Sequence, residues 1–300
     1  MELLLEIQRI PGPSGDEGRI ADFVEAQCRS ISGTTVTRYG DLVLAVRGKP
    51  RVAVFAHVDT IGFTQGYERN LIPIGGPFVE GDESIREVES GAKARIKIRQ
   101  KDDRPQWRVS GKAGEPGSRW VYAAPLVIKK NKVIGPYLDN RAGVWNGLMT
   151  LQRCTDVAVV FSPGEEHSGR GALIGARLVY QDLGITRALI SDITWHTAGI
   201  KNGKGPAISL RDRHVPRQRF LDEVLAAAVD SKIPFQREVE ANGASDGAAV
   251  ERSTFPLDWI FIGAPQKHSH TPKEECLVSD LERMSELYAH LVPALSQKAG

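Results

Sequence analysis

Cysteine is scarce: three in 300 residues, Cys28, Cys154 and Cys276, scattered along the chain and odd in number. Their small, odd number and the lack of close-paired spacing argue against a disulfide framework or a cysteine-built zinc site, and buried free thiols are expected. Long hydrophobic runs are missing too, since no stretch approaches the ~20 apolar residues that cross a bilayer. The opening MELLLEIQRI holds a short apolar run between acids and lacks the basic start and longer apolar region of a signal peptide. Nor does charge of one sign prevail, with 39 Lys and Arg against 37 Asp and Glu. A basic face for nucleic acid and a charge-driven membrane partner are therefore not indicated. No internal repeat or low-complexity tract is evident. What remains is a globular chain long enough to bury a substantial core, expected to be soluble and cytoplasmic, with no nucleic-acid or membrane partner.

Apolar residues at helical spacing in MELLLEIQRI and GDEGRIADFVEAQCRSI, broken by the turn PGPSG, predict two helices. LVLAVRG and RVAVFAHVD read as strands, the second a continuous apolar run of the kind buried in a sheet covered on both faces. From Phe63 to Val133 glycines and prolines punctuate short alternating pieces such as ARIKIRQ and QWRVSG, which predicts an all-β insertion. Beyond it strand and helix alternate: RAGVWNGLMTLQR and GRGALIGARLVYQ are helical, DVAVVFSPG and RALISDIT are strands. A helix in RFLDEVLAAAVDSK, a strand in LDWIFIGAP and a helix in SDLERMSELYAHLVPALSQ complete the pattern, with Ser279 and Asp280 suited to the last helix's N-cap. The expectation is an α/β fold, a mostly parallel sheet flanked by helices, formed by residues 1–62 and 134–300. A β domain over 63–133 interrupts it and is expected to make a dimer contact.

Several apolar strands end in a potential metal ligand: His57 and Asp59, Glu165 and Glu166, Asp192, and His268 or His270. Asp139 sits just before a helix. In an open α/β sheet ligands gather beyond the carboxyl ends of the strands, so these groups can converge although they are far apart in sequence. Each taken singly has a plainer reading, Asp139 and Asp192 as caps or turn residues and the adjacent glutamates as a solvated pair. Together they form a nitrogen and oxygen donor set suited to Zn²⁺, Co²⁺ or Mn²⁺, with too many ligands for one tetrahedral ion and enough for two. Two neighbouring carboxylates can then divide the work, one holding a cation and the other taking a proton from activated water.

PGPSGDEG, AHVDTIGF, GPYLDNRAG, SPGEEHSGRGA, SDIT, GKGPAI, GASDGAA and HTPKE occur in that order along nearly the whole chain. With these motifs the sequence resembles the tetrahedral aminopeptidases, deblocking or glutamyl aminopeptidases of the co-catalytic zinc exopeptidase clan. The resemblance implies two divalent ions, one held by His57, Asp139 and Asp192 and the other by Asp139, Glu166 and His270, with Asp139 bridging. It implies Glu165 as general base, Asp59 fixing the tautomer of His57 from behind, and a cis peptide between Asp139 and Asn140. His270 is preferred to His268 because HTPKE matches the family's pattern. Peptides are the implied substrates and a homo-oligomer the implied assembly. Thr60, Ser245 and Gly247 depart from the family's commonest residues, which touches substrate fit rather than metal binding. Arg211 and Arg213 suggest a preference for acidic N-terminal side chains. The rival enzyme reading is an acylamino-acid amidohydrolase or carboxypeptidase of the same clan, whose extra domain would fall after the fourth ligand. A metal-stabilised, non-catalytic scaffold is the alternative from another class.

Overall fold

The computed structural model describes residues 1–101 and 104–297; residues 102 and 103, inside the expected β insertion, and the last three lie outside the described residues. Helices α1 (Glu2–Arg9) and α2 (Gly18–Ser30) come first, followed by β1 (Thr34–Tyr39), β2 (Leu42–Arg47) and β3 (Ala53–His57). Six strands then build a separate sheet: β4 (Gly62–Gln65), β5 (Leu71–Ile74), β6 (Ser84–Glu87), β7 (Lys93–Lys101), β8 (Arg104–Gly111) and β9 (Arg119–Tyr122). After β10 (Val127–Lys129) and β11 (Lys132–Ile134), helix α3 (Leu138–Arg153) returns the chain to the first sheet. There β12 (Val157–Ser162), α4 (Arg170–Gln181), β13 (Arg187–Trp195), β14 (Ala207–Arg211), α5 (Gln218–Asp230) and β15 (Gln236–Val239) alternate. The chain closes with α6 (Asp246–Arg252), β16 (Asp258–Gln266), β17 (Glu275–Leu277) and α7 (Val278–Gln297).

The large sheet has the order β1-β2-β12-β3-β13-β16-β14-β15. Its centre, β12, β3, β13 and β16, is parallel, while β1 and β2 run antiparallel at one side and β14 runs against β16 at the other. The sheet is therefore mixed, with its parallel part where both faces are covered. Every residue of β3 and β12 is buried, as a strand between two layers of helix requires. Buried side chains from α1, α2, α3, α5 and α7 pack on one face, and those from α4 and α6 on the other. Each fully buried Leu, Ile, Val or Phe in these layers contributes about 1.5–3 kcal/mol. Helix α4 reaches its face at Gly175, where an added Cβ would lie 2.6 Å from Val160 and 2.8 Å from Phe55. The sequence reading assigns no strand to residues 34–39 or 236–239. Both lie at the sheet's outer edges, and in β1 Val36 alone is buried, so little apolar signal is available to reveal them.

The β insertion carries its own core, with Phe63, Ile85, Ile96 and Trp120 fully enclosed. Its sheet, ordered β5-β4-β9-β6-β7-β8, curls until residues beside β5 and in β8 meet at the bridge Asn70–Arg108. The strands at 127–134 do not join it. They form a three-stranded sheet with β17, because Lys132, Val133 and Ile134 pair with Leu277, Cys276 and Glu275 beside the large sheet. The expected cap of α7 also differs. Ser279 and Asp280 lie inside the helix's first turn, and the buried Asp280 carboxylate instead accepts from the N–H groups of Gly203 (2.6 Å) and Gly205 (3.0 Å). All three cysteines are free and buried. No described helix is long and apolar enough to cross a membrane.

Candidate metal centre

Strand β3 ends at His57, β12 runs into the loop bearing Glu165 and Glu166, and β13 carries Asp192. Parallel pairing aligns these strands side by side, with Ser162 opposite His57 and Ile190 opposite Phe55. Their carboxyl ends therefore deliver ligands to one place. Asp139 arrives from the start of α3, whose first turn is not helical: Asp139 has ψ 104° and the Asp139–Asn140 peptide is cis. Asn140 then holds the helix start, its Oδ1 accepting from Gly143 N at 2.7 Å and its Nδ2 donating to Ser191 O at 2.9 Å. The plain reading of Asp139 as an N-cap is thus displaced by Asn140. His270 follows β16 in a turn, in the left-handed region at φ 64°.

His57, Asp139 and Asp192 offer ligand atoms within 4.8 Å of one another, and so do Asp139, Glu166 and His270. Asp139 belongs to both groups and turns a different oxygen to each. Its Oδ1 lies 3.3 Å from His57 Nε2 and its Oδ2 3.4 Å from His270 Nε2. His57 Nε2 is 3.5 Å from Asp192 Oδ2, and His270 Nε2 is 3.5 Å from Glu166 Oε2. These spacings exceed an ordinary N–H···O bond of ~2.7–3.2 Å. They match the ~3.3–3.6 Å edge of a tetrahedron with 2.0–2.2 Å ligand bonds.

The tautomers agree with that fit. His57 Nδ1 faces the Asp59 carboxylate at 3.4 Å and its carbonyl at 3.2 Å, and His270 Nδ1 lies 2.9 Å from Gly76 O. With the proton drawn to Nδ1 in each ring, both Nε2 lone pairs point at carboxylates, an arrangement that repels unless a cation lies between them. Glu166 Oε1 is buried without a partner, a further mark of a missing positive charge. Burial pushes the Glu166 carboxyl up to about 8 and Asp192 to about 6, reinforced by the neighbouring Asp139 charge. Glu165 is likewise raised, by burial above all. Burial also opposes charge on His270, but the Asp139 and Glu166 carboxylates outweigh it and lift the imidazole to about 10. The residues present therefore fit two divalent ions, which would supply the charge that protons must otherwise provide.

Asp59 explains why the two glutamates can stand together. Its Oδ1 accepts from Glu165 N (2.9 Å) and its Oδ2 from Glu166 N (3.0 Å) and Ser14 Oγ (2.6 Å). One buried carboxylate thus orients His57 and fixes the loop. Glu165 Oε2 remains 3.9 Å from His57 Nε2, close to the cluster yet outside both ligand groups.

Sequence reading overlooks several residues that shape the site. Glu274 is fully buried and spans two of the converging segments, its Oε2 accepting from Asp139 N (3.2 Å) and its Oε1 from His270 N (2.9 Å). Its place at the end of HTPKE is the one signal that could have found it. Arg141, also buried, donates to the carbonyls of Val58 and Ile10 and so ties α3 to the turn after His57. Gly75, from the β insertion at φ 67°, passes so close that an added Cβ would sit 3.0 Å from Glu166 Oε2. Asp246 is not among the overlooked residues, since the GASDGAA motif offers it as a weak substrate-contact candidate; it lies buried at the start of α6 and accepts from Ser162 Oγ, with its Oδ1 unpartnered. His268 is exposed in its turn, and His167, His196 and His214 lie outside both ligand groups.

A family model described as M42 glutamyl aminopeptidase matches residues 92–287. A relative from Acetivibrio thermocellus, whose name assigns it provisionally to the aminopeptidases, is 24% identical over 97% of this chain and 98% of its own. Among solved structures, an aminopeptidase of the archaeon Desulfurococcus kamchatkensis superposes with a TM-score of 0.86 at 20% identity, covering 100% of this chain and 97% of its own. The TET1 peptidase of Pyrococcus horikoshii, described as assembling into a tetrahedron or a large octahedral shell, gives a TM-score of 0.81 at 21% identity over 98% of both chains. At such identities the structural likeness speaks for the fold. The family match, which takes in more than half of the sequence and every converging ligand after the insertion's first strands, carries further: the chain belongs to the M42 glutamyl aminopeptidase family and is a hydrolase, a metal-dependent aminopeptidase.

Proposed function

We propose that this chain removes N-terminal residues from peptides at a site of two divalent ions. His57, Asp139 and Asp192 hold one ion, Asp139, Glu166 and His270 the other, and Glu165 is the general base. The observation that carries this reading is the Asp139 carboxylate, whose two oxygens face two different imidazoles. When bound, the ions polarise the scissile carbonyl and bring the pKa of water from 15.7 toward ~7. Mixed imidazole and carboxylate donors without thiolate suit Zn²⁺, Co²⁺ or Mn²⁺.

Glu165 lines the cavity beside the cluster, and burial holds its carboxyl well above the usual carboxylate range, which suits a group that must take up a proton. It accepts a proton from the attacking water and returns it to the departing amine. Asp59 keeps the loop in register through the two backbone N–H groups, so the base is presented while Glu166 is held to the cluster. The insertion lies between Asp59 and Asp139, and the chain from Asp192 to His270 is occupied by β14, β15, β16, α5 and α6 of the main domain. This placement favours an aminopeptidase over the amidohydrolase plan, and the base beside the ligands speaks against a scaffold.

Hydrolysis of aminoacyl-nitroanilides tests the reading. Activity is expected to vanish on chelation and return with Zn²⁺, Co²⁺ or Mn²⁺; N-acylated substrates cleaved faster than free-amine ones would transfer the chain to the amidohydrolases. A metal-loaded protein inert to both would make it a scaffold.

The insertion further serves as a subunit contact in this reading. Tyr67, Ile72 and Phe78, on and beside β5, are 82%, 53% and 57% exposed, apolar side chains that a neighbouring subunit would cover. Tyr67→Asp combined with Phe78→Asp is expected to reduce the sedimenting mass. An assembly unchanged in size would remove this contact from the proposal.

A further inference from the structure

The cavity beside the metal ligands has a second end. Asp139, Glu165, Glu166, Asp192 and His270 line one side, and Trp195, Asp212, Glu238, Glu240 and Phe261 line the other. Its volume of about 120 Å³ is room for one extended side chain. The far end is built from the tail of β13, the loop after β14, β15 with the residue that follows it, and Phe261 of β16; of the ligands these elements hold only Asp192.

Asp212 and Glu238 are only 6% and 5% exposed, yet neither pairs with a Lys or Arg among the described residues. Glu238 accepts from Thr194 Oγ1, and Asp212 accepts from His214 N at 2.6 Å with His214 Nδ1 at 3.7 Å. Hydroxyl and amide donors leave a buried carboxylate short of its counter-charge. Glu240, half-buried at the same end, uses one oxygen on the N–H groups of Ala241 and Asn242. Arg211 and Arg213 are exposed and do not line the cavity, so their position lends no support to a preference for acidic residues; the lining residue is Asp212 between them.

Resting on the aminopeptidase reading, we propose that Asp212, Glu238 and Glu240 receive the side chain of the substrate's N-terminal residue, and that this residue is lysine or arginine. Its α-amine then lies toward the ligand end, where the scissile bond must sit. Its cationic tip reaches the three carboxylates, and its aliphatic stem passes Trp195 and Phe261, a combination that apolar walls and terminal acids favour. A glutamyl side chain would add a fourth negative charge to the same end and be rejected.

The test compares kcat/KM of the metal-loaded protein for lysyl, arginyl, leucyl and glutamyl nitroanilides. Lysyl and arginyl substrates are expected to exceed leucyl by ~10-fold or more and glutamyl by ~100-fold or more. Glu238→Gln and Asp212→Asn should each lower the lysyl-to-leucyl ratio several-fold. Should either variant fold poorly, competition against leucyl hydrolysis in the unaltered protein decides the matter: lysinamide must inhibit more tightly than norleucinamide. Leucyl or glutamyl substrates cleaved as well as lysyl, or norleucinamide the better inhibitor, overturns this pocket and leaves the aminopeptidase standing. Inertness toward all four overturns both.

Discussion

Glu165→Gln is expected to lower kcat by ~10²–10⁴-fold, the span attributed to a positioned general base, while KM and metal content stay close to those of the unaltered protein. The reason lies in how the loop is held. Asp59 grips the backbone N–H groups of residues 165 and 166, not the Glu165 side chain, so an isosteric amide leaves the loop and the Glu166 ligand in place. Only the capacity to take up a proton is removed. Steady-state kinetics beside metal analysis read the two effects separately. Near-normal turnover would assign the proton transfer to another group; loss of metal in step with activity would make Glu165 a ligand.

Asp139→Ala should be the more damaging change, because one carboxylate serves both groups of three. Its loss leaves two protein ligands for each ion, and we expect metal content to fall well below two per chain with activity at background. The same cluster predicts a pH dependence of binding. In the metal-free protein His270, lifted to about 10, and Glu166, lifted to about 8, both hold protons at neutral pH. An ion must displace these protons, since only the deprotonated forms coordinate. Apparent affinity therefore rises with pH through the range below about 8, where both groups compete, by up to ~10-fold per pH unit for each proton released. Above that the imidazoles still compete, His270 and also His57, whose protonation is opposed by burial but sustained well above the usual range by the Asp192 and Asp139 carboxylates, and the slope eases. Calorimetry in buffers of different ionisation enthalpy counts the protons; affinity flat from pH 6 to 8 would contradict the placement of either residue in the cluster.

The alternation of period-two and period-3.6 patterns is local, and so the central strands and most helices are legible from residues alone. β3 and β12 announce themselves as continuous apolar runs because both of their faces are covered. The acids and imidazoles at their ends stand out for the same reason, as polar groups interrupting a buried run. The edge strands β1 and β15, and the pairing of β11 with β17, have no such signature, since short, half-exposed strands are defined by their neighbours.

Residue types and strand ends were thus determined by the sequence itself, through burial and periodicity along a single segment. Tertiary structure decided which ends meet. Glu274 reaches Asp139 across 135 positions and Asp59 reaches Glu165 across 106, and no pattern along the chain encodes such a separation. The acidic end of the cavity arises in the same way, from β13, β14 and β15 folded against one another, while Arg211 and Arg213, on either side of Asp212, do not line it. Charge selects a substrate only where side chains face the same cavity, and facing is a property of the packed sheet.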